Sequence, residues 1–204
     1  MNELDMPAKK DAEDLLKWAD GQNPGPWVRH SKTVARAAKT IAAQCGLDEK
    51  AAYVLGLLHD IGRYEGATDL RHIYSGYKMM NEKGYDRSAR ICLTHSFPYK
   101  DIKSFNGNND CAADETELIK AKLKEYDYDD YDKLIQLCDS LSMADGVCLM
   151  EVRLVDVVRR HEILNKRILN KWNAFFEIKK YFDNKCKINI YRLFSGEIIK
   201  NSID

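Results

Sequence analysis

Between its four prolines, Pro7, Pro24, Pro26 and Pro98, the chain places apolar residues at intervals of three and four rather than in alternation. That is the period of helices buried along one face, so the fold class is expected to be all-α. A short first helix is expected over residues 11–19, ended by Gly21, after which the NPGPW turn starts a long helix over about 27–45, stopped by Gly46. Asp48 stands where it can cap a third helix, 49–60, ended by Gly62. This one is apolar nearly all round, through Ala51, Ala52, Val54, Leu55, Leu57 and Leu58, the pattern of a central buried helix. Further helices are expected at about 69–82, 86–95, 114–126, 131–144 and from 147 to about 182, and the tail after Cys186 reads as a short helix or a strand.

Length and composition narrow the picture. The 204 residues suit a single domain, 1–204, with a core at about 27–158, an insertion at 97–131 and a C-terminal helical extension at 159–204. Lys and Arg number 32 against 32 Asp and Glu, so bulk charge gives no affinity for nucleic acid or anionic lipid. The longest clean apolar run, 51–58, is far short of the roughly 20 residues that span a bilayer. The opening MNELDMPAKKDAEDLL has no apolar signal core, and a cytoplasmic location is expected. Locally the charge is uneven: residues 100–132 hold five Lys against ten Asp and Glu, and 153–200 hold twelve Lys and Arg against five Asp and Glu. Two solvated, partly complementary faces account for this, with an acidic lid and a basic partner-binding tail as the sharper alternative. The six cysteines show no CxxC spacing and fit buried reduced thiols better than a disulfide framework.

Histidines and carboxylates occur where a core should be. His30 shares a helical stripe with Val34, Ala37 and Ile41; His59 closes the apolar third helix; His72 lines up with Gly76 and Met79; His95 lines up with Cys92. His161, in RRHE, reads as solvated. Asp60 follows His59 directly, and Asp139 occupies the stripe of Ile135 and Met143. An ionised carboxylate in apolar surroundings costs several kcal/mol unless a cation or several donors compensate. Each residue alone also fits a satisfied core histidine, a helix cap or an arginine pair. Together, four histidines and two aspartates describe a site for one or two divalent transition metal ions, Fe, Mn, Ni, Co or Zn, with Mg also admitted.

The order His30, then His59 and Asp60 within LLHDIGR, then Asp139, resembles the H…HD…D signature of the HD-domain metal-dependent phosphohydrolases. WVRHSKTVARAAKTIA is similar to that family's first ligand helix and GLLHDIGR to its central one. His72 and His95 resemble the extra histidines of two-metal members, including the branch that cleaves diadenosine tetraphosphate and the cyclic-dinucleotide phosphodiesterases, although the GYP motif of the latter is absent. The resemblance implies an HD-domain helical bundle around a metal site, with His30, His59, Asp60 and Asp139 on a first metal, Asp60 bridging, and His72 and His95 completing a second.

The chemistry then expected is hydrolysis of a phosphoester or phosphoanhydride of a small phosphorylated metabolite, a nucleotide or dinucleoside polyphosphate, by a metal-activated hydroxide. Asp60 and Arg63 are the expected catalytic residues, and Arg63, Lys100 and Lys103 the expected substrate contacts, with a salt bridge at the helix end as the alternative role for Arg63. Gly76 either admits a close neighbour or simply packs. The insertion, FPYKDIKSFNGNND and onward, is expected to be a lid or specificity loop rather than core. No membrane and no polymeric nucleic acid are expected as partners, and Val155, Val158, Ile163, Ile168 and Phe175 are assigned to the core or a homodimer contact. A non-catalytic signalling module and a di-iron oxygenase are the alternatives.

Overall fold

The three- and four-residue period is realised as ten α-helices among the described residues, 5–202, of a computed structural model, so the all-α class holds. They are α1 Lys9–Gln22, α2 Pro26–Cys45, α3 Glu49–Leu58, α4 Arg71–Glu82, α5 Asp86–Thr94, α6 Ala113–Glu125, α7 Asp130–Leu141, α8 Met150–His161, α9 Lys166–Cys186 and α10 Ser195–Ser202. Between α7 and α8 lies a small antiparallel hairpin, β1 Ser142–Met143 with β2 Gly146–Val147. Among the described residues, no helix is long and apolar enough to cross a membrane.

Several boundaries follow from single residues. Pro26 opens α2, where its missing N–H is harmless, and Gly46 closes it in the left-handed region at φ 73°. Asp48 caps α3, its carboxylate accepting from the backbone N–H of Lys50 at 2.8 Å and Ala51 at 3.0 Å. Elsewhere the structure corrects the reading. The first helix runs through Gly21. The third stops at Leu58, leaving His59 and Asp60 at its end and a 3-10 turn over Ile61–Glu65. Gly62 sits inside that turn and serves close packing: a Cβ there would lie 2.0 Å from the His72 carbonyl oxygen and 2.4 Å from the Gly76 nitrogen. Gly76 is its packing partner. The helix expected from 147 to 182 is two helices, because Glu162 turns left-handed at φ 55° and the Asn165 side chain then caps α9. The tail is helical, a 3-10 turn followed by α10.

Packing joins these elements into one body. Val34 and Ile41 of α2, Leu55 of α3 and Cys138 of α7 share a buried cluster with Phe182 of α9 and Phe194 beyond it, so the C-terminal helices are part of the main core. Ile168 and Phe175 are buried as expected, whereas Val155 is 48% exposed. A second buried cluster unites Phe97, Ile119 and Leu123 with Leu70, Ile73 and Leu93. Much of the insertion is therefore core, which corrects its reading as a lid; its longest stretch outside regular structure is the 105–112 loop. All six cysteines are free.

One polar network fixes the relation of α5 to α7. Asp132, fully buried, accepts from Arg90 Nε at 3.1 Å and Thr94 Oγ1 at 2.8 Å, and Gln136 Nε2 donates to the Thr94 carbonyl at 3.0 Å. This pins the C-terminal end of α5 against the helix that carries Asp139.

The Gly62 contact gives the first testable expectation. Gly62→Ala should lose about 3 kcal/mol in chemical denaturation, because the new methyl meets backbone that cannot rotate away. Gly21→Ala, with nothing within 4 Å of its Cβ, should instead gain about 0.5 kcal/mol.

Candidate metal centre

The six expected ligands arrive from five places and meet. His30 comes from the first turns of α2, Asp139 from the last turn of α7 and His72 from the start of α4; His59 and His95 directly follow α3 and α5, and Asp60 follows His59. Among the described residues, His30–His59–Asp60, His59–His95–Asp139 and Asp60–His72–His95 each present ligand atoms within 4.8 Å of one another. His30 Nε2 lies 3.0 Å from Asp139 Oδ1; His72 Nε2 and His95 Nε2 lie 3.1 and 3.5 Å from Asp60 Oδ1; His59 Nε2 lies 3.9 Å from Asp60 Oδ2.

Three of the imidazoles are oriented by one device. Each points Nδ1 at the backbone carbonyl three residues earlier: His59 at Gly56 (2.8 Å), His95 at Cys92 (2.9 Å) and His72 at Asp69. Carbonyls at the ends of α3 and α5 lack helical partners, so the side chain that satisfies them is fixed in tautomer and angle. With the proton on Nδ1, every Nε2 faces the cluster as a lone pair.

Electrostatics reinforces this. Burial pushes His59 down to about 4, outweighing the nearby carboxylates, and burial together with the Arg63 charge lowers His72. These rings are neutral at pH 7. Burial works against ionised Asp60, yet the Arg63 guanidinium, 2.7 Å away, holds its carboxyl well below the usual range. Asp139 is likewise lowered against its burial, through its hydrogen bond to His30. The His72 Nε2 lone pair thus faces Asp60 Oδ1 at 3.1 Å, acceptor against acceptor, and His59 Nε2 and Asp60 Oδ1 are buried with no hydrogen-bond partner. A divalent cation is the group that resolves such an arrangement, and nitrogen and oxygen donors of this kind suit one.

The cluster forms one side of a cavity of about 660 Å³. Arg63 lines it with its Nε already engaged, donating to Asp60 Oδ2 at 2.7 Å. The salt-bridge reading of Arg63 is therefore realised alongside its position at the cavity. Lys100 and Lys103 do not line it. Lys100 is turned to the Tyr126 carbonyl and the Tyr128 ring, and Lys103 is exposed. His161, read as solvated, is half-buried at the mouth.

A family model described as HD domain matches residues 27–144, more than half of the chain. The chain belongs to the HD-domain family. Members hold divalent metals, which agrees with the His and Asp groups gathered here. Curated relatives of this HD protein include Ribonuclease Y of Campylobacter concisus (strain 13826), 35% identical over 104 residues that cover 50% of this chain and 17% of the relative. Ribonuclease Y of Helicobacter pylori (strain J99) is 28% identical over 155 residues, 71% of this chain and 28% of the relative. The chain thus spans well under a third of the length of these relatives. No solved structure matches it significantly. The relatives' name corrects the expectation that polymeric nucleic acid is excluded, since a ribonuclease acts on RNA. The error was to sum the charge: a net of zero says nothing about cations collected at one cavity.

Those cations include residues that the sequence reading passed over. Arg153 of α8, and Lys171 of α9 with Asn106 of the insertion, line the wall formed by the C-terminal helices. Lys171 carried a signal, because it occupies the stripe of Ile168 and Phe175, where an apolar residue belongs. Asn106, in an irregular loop, carried none.

Burial lowers Lys171 to about 8, with Asp139 opposing and Arg153 adding to the shift. Since the unfolded chain holds this proton up to the ordinary value of 10.5, the wild type should gain stability as pH rises from about 8 towards 10.5. Lys171→Met should accordingly be more stable than wild type by about 2 kcal/mol at pH 7, the difference shrinking above pH 8. Urea melts of both proteins at pH 7 and pH 10 measure it; equal stabilities at pH 7 would contradict a buried, uncompensated ammonium.

Proposed function

We propose that this HD protein is a metal-dependent phosphohydrolase that cleaves a phosphoester or phosphoanhydride bond of a nucleotide or of RNA. The observation that carries the reading is the convergence of imidazole Nε2 atoms on Asp60, beside a cavity large enough for a nucleotide. His30, His59, Asp60, His72, His95 and Asp139 would hold one or two divalent ions. Such ions supply Lewis acidity toward phosphoryl oxygens and make hydroxide available near neutral pH.

The chain's own groups do the rest. Arg63, fixed through Nε on Asp60 and with Nη2 3.5 Å from His72 Nε2, keeps that carboxylate ionised and oriented, and its Nη1 remains for phosphoryl oxygens in the cavity. Arg153 adds a cationic side chain on the facing wall, where phosphoryl oxygens would approach. The RNA arm is supported by the name of the relatives, and the anhydride arm by the two-metal likeness of His72 and His95 to the diadenosine tetraphosphate-cleaving branch.

Purified protein should contain close to two metal ions per chain by elemental analysis, and Asp60→Ala should lose most of both. Phosphate and nucleotide release from nucleoside mono-, di- and triphosphates, dinucleoside polyphosphates, cyclic dinucleotides and short RNA should appear with one or more of Mn, Fe, Ni, Co, Zn or Mg. His59→Ala should reduce the rate at least about 100-fold. No turnover of any compound with any metal, and identical behaviour of His59→Ala, would sink the phosphohydrolase reading in favour of a binding module; oxygen uptake instead would indicate the oxygenase.

A further inference from the structure

We propose that Lys171 and Asn106 form a receptor for a second, non-reacting phosphoryl group, so that this protein selects substrates carrying two phosphoryl groups. The inference rests on the phosphohydrolase reading for the identity of the first group, the one placed at the His and Asp cluster.

The receptor is defined by polar atoms that the fold buries and does not satisfy. Lys171 is only 6% exposed, and among the described residues it enters no ion pair. Its ammonium has three N–H donors, and its one hydrogen bond is to Asn106 Oδ1 at 3.3 Å. Asn106, 9% exposed, in turn buries its Nδ2 without a partner. Both residues line the cavity. Because they are bonded to each other, their unused donors lie close enough to converge on one acceptor-rich ligand.

A structural role does not account for the pair. Asp139 acts on Lys171 through its field, but the two form no ion pair, so Lys171 is not the counterion of the cluster. Arg153, the neighbouring cation, already has a carboxylate, Asp156, at 3.2 Å. An ammonium whose further neighbour is the Phe175 ring, 5.9 Å to its centroid, beside an unsatisfied amide, is a costly arrangement for packing alone. For an anion with several oxygens it supplies one charge and directed N–H groups.

The two sites stand on different elements. Lys171 lies on α9 and Asn106 in the 105–112 loop, and among the described residues neither is hydrogen-bonded or ion-paired to a residue of the cluster. A monophosphate can occupy one site or the other; a molecule with two phosphoryl groups occupies both within the 660 Å³ cavity. Two linked contacts act with high effective concentration, so the second phosphoryl group should raise affinity steeply.

The test uses the full chain, purified with its metal, and two probes: adenosine 3′,5′-bisphosphate and adenosine 5′-monophosphate. Calorimetric titrations, with chromatography of the final mixtures to correct for turnover, should show the bisphosphate binding at least about tenfold more tightly. Lys171→Met should abolish that preference while changing the monophosphate affinity less than about twofold, and Lys171→Arg should retain part of it. Asn106→Ala should lose part of the preference too, and decides the matter should Lys171→Met not fold. Equal wild-type affinities for the two probes, or equal weakening of both by Lys171→Met, would overturn the receptor. Hydrolysis without the preference sinks this inference alone; the preference without hydrolysis of any phosphate compound sinks the phosphohydrolase reading alone.

Discussion

An ionised carboxylate enclosed by neutral imidazoles is the constraint around which this fold is arranged. Asp60 is 4% exposed, a placement that costs several kcal/mol unless it is compensated. Arg63 compensates one oxygen at 2.7 Å, while the other faces the Nε2 atoms of His72 and His95. To stay aimed, the rings need fixed acceptors for Nδ1: the free carbonyls at the ends of α3 and α5 serve His59 and His95, and the Asp69 carbonyl before α4 serves His72. That requirement explains why His59 and His95 sit at helix ends. It also explains why α3 is apolar on all sides: the helix that delivers His59 and Asp60 must itself be surrounded.

The same constraint decides how the helix ends are held. The 3-10 turn after Asp60 closes onto α4 through Gly62 and Gly76, which brings His72 up to the carboxylate. The buried Asp132, tied to Arg90 and Thr94, secures the end of α5 and so the position of His95 against α7. These are positioning contacts, remote from the cavity yet directly coupled to its ligands.

Much of this was legible in the sequence, and the reason is physical. Apolar periodicity, Gly46 and Asp48 mark α2 and α3, and a histidine or aspartate is conspicuous only where its neighbours three and four residues away are apolar. His30, His59, Asp60, His95 and Asp139 satisfy that condition; His72, flanked at those distances by Thr68, Asp69, Ser75 and Gly76, stands out only through the family resemblance. The end of α3 was not legible, because Gly62 was read as a stop when its purpose is contact with a helix ten residues on. The break at Glu162 and Asn165 was hidden within a continuous amphipathic pattern. Lys100 and Lys103 were chosen for lying on a loop, but loops have no periodicity to say which way a side chain turns. Lys171 shows the converse: a lysine on the stripe of Ile168 and Phe175 is as informative as a histidine on the stripe of Val34, once one asks what an apolar wall needs a cation for.

The two kinds of residue fall in different parts of the chain. The cluster lies within 27–144, the part that matches the HD family, whereas Arg153 and Lys171 stand on α8 and α9 beyond it. Under the function proposed, chemistry and selection would be separable: the core could keep its metal ligands while the wall changes what enters. That wall is nonetheless no loose flap. Phe182, Phe194 and Ile198 share the buried cluster of α2 and α7, which holds α9 and the segment after it to the same core as the ligand helices. A cation mounted on so fixed a support is desolvated in advance, before any ligand arrives. The cost of burying Lys171 is then carried by the stability of the free protein, and the contact with an anion forms without the reordering that would otherwise weaken it.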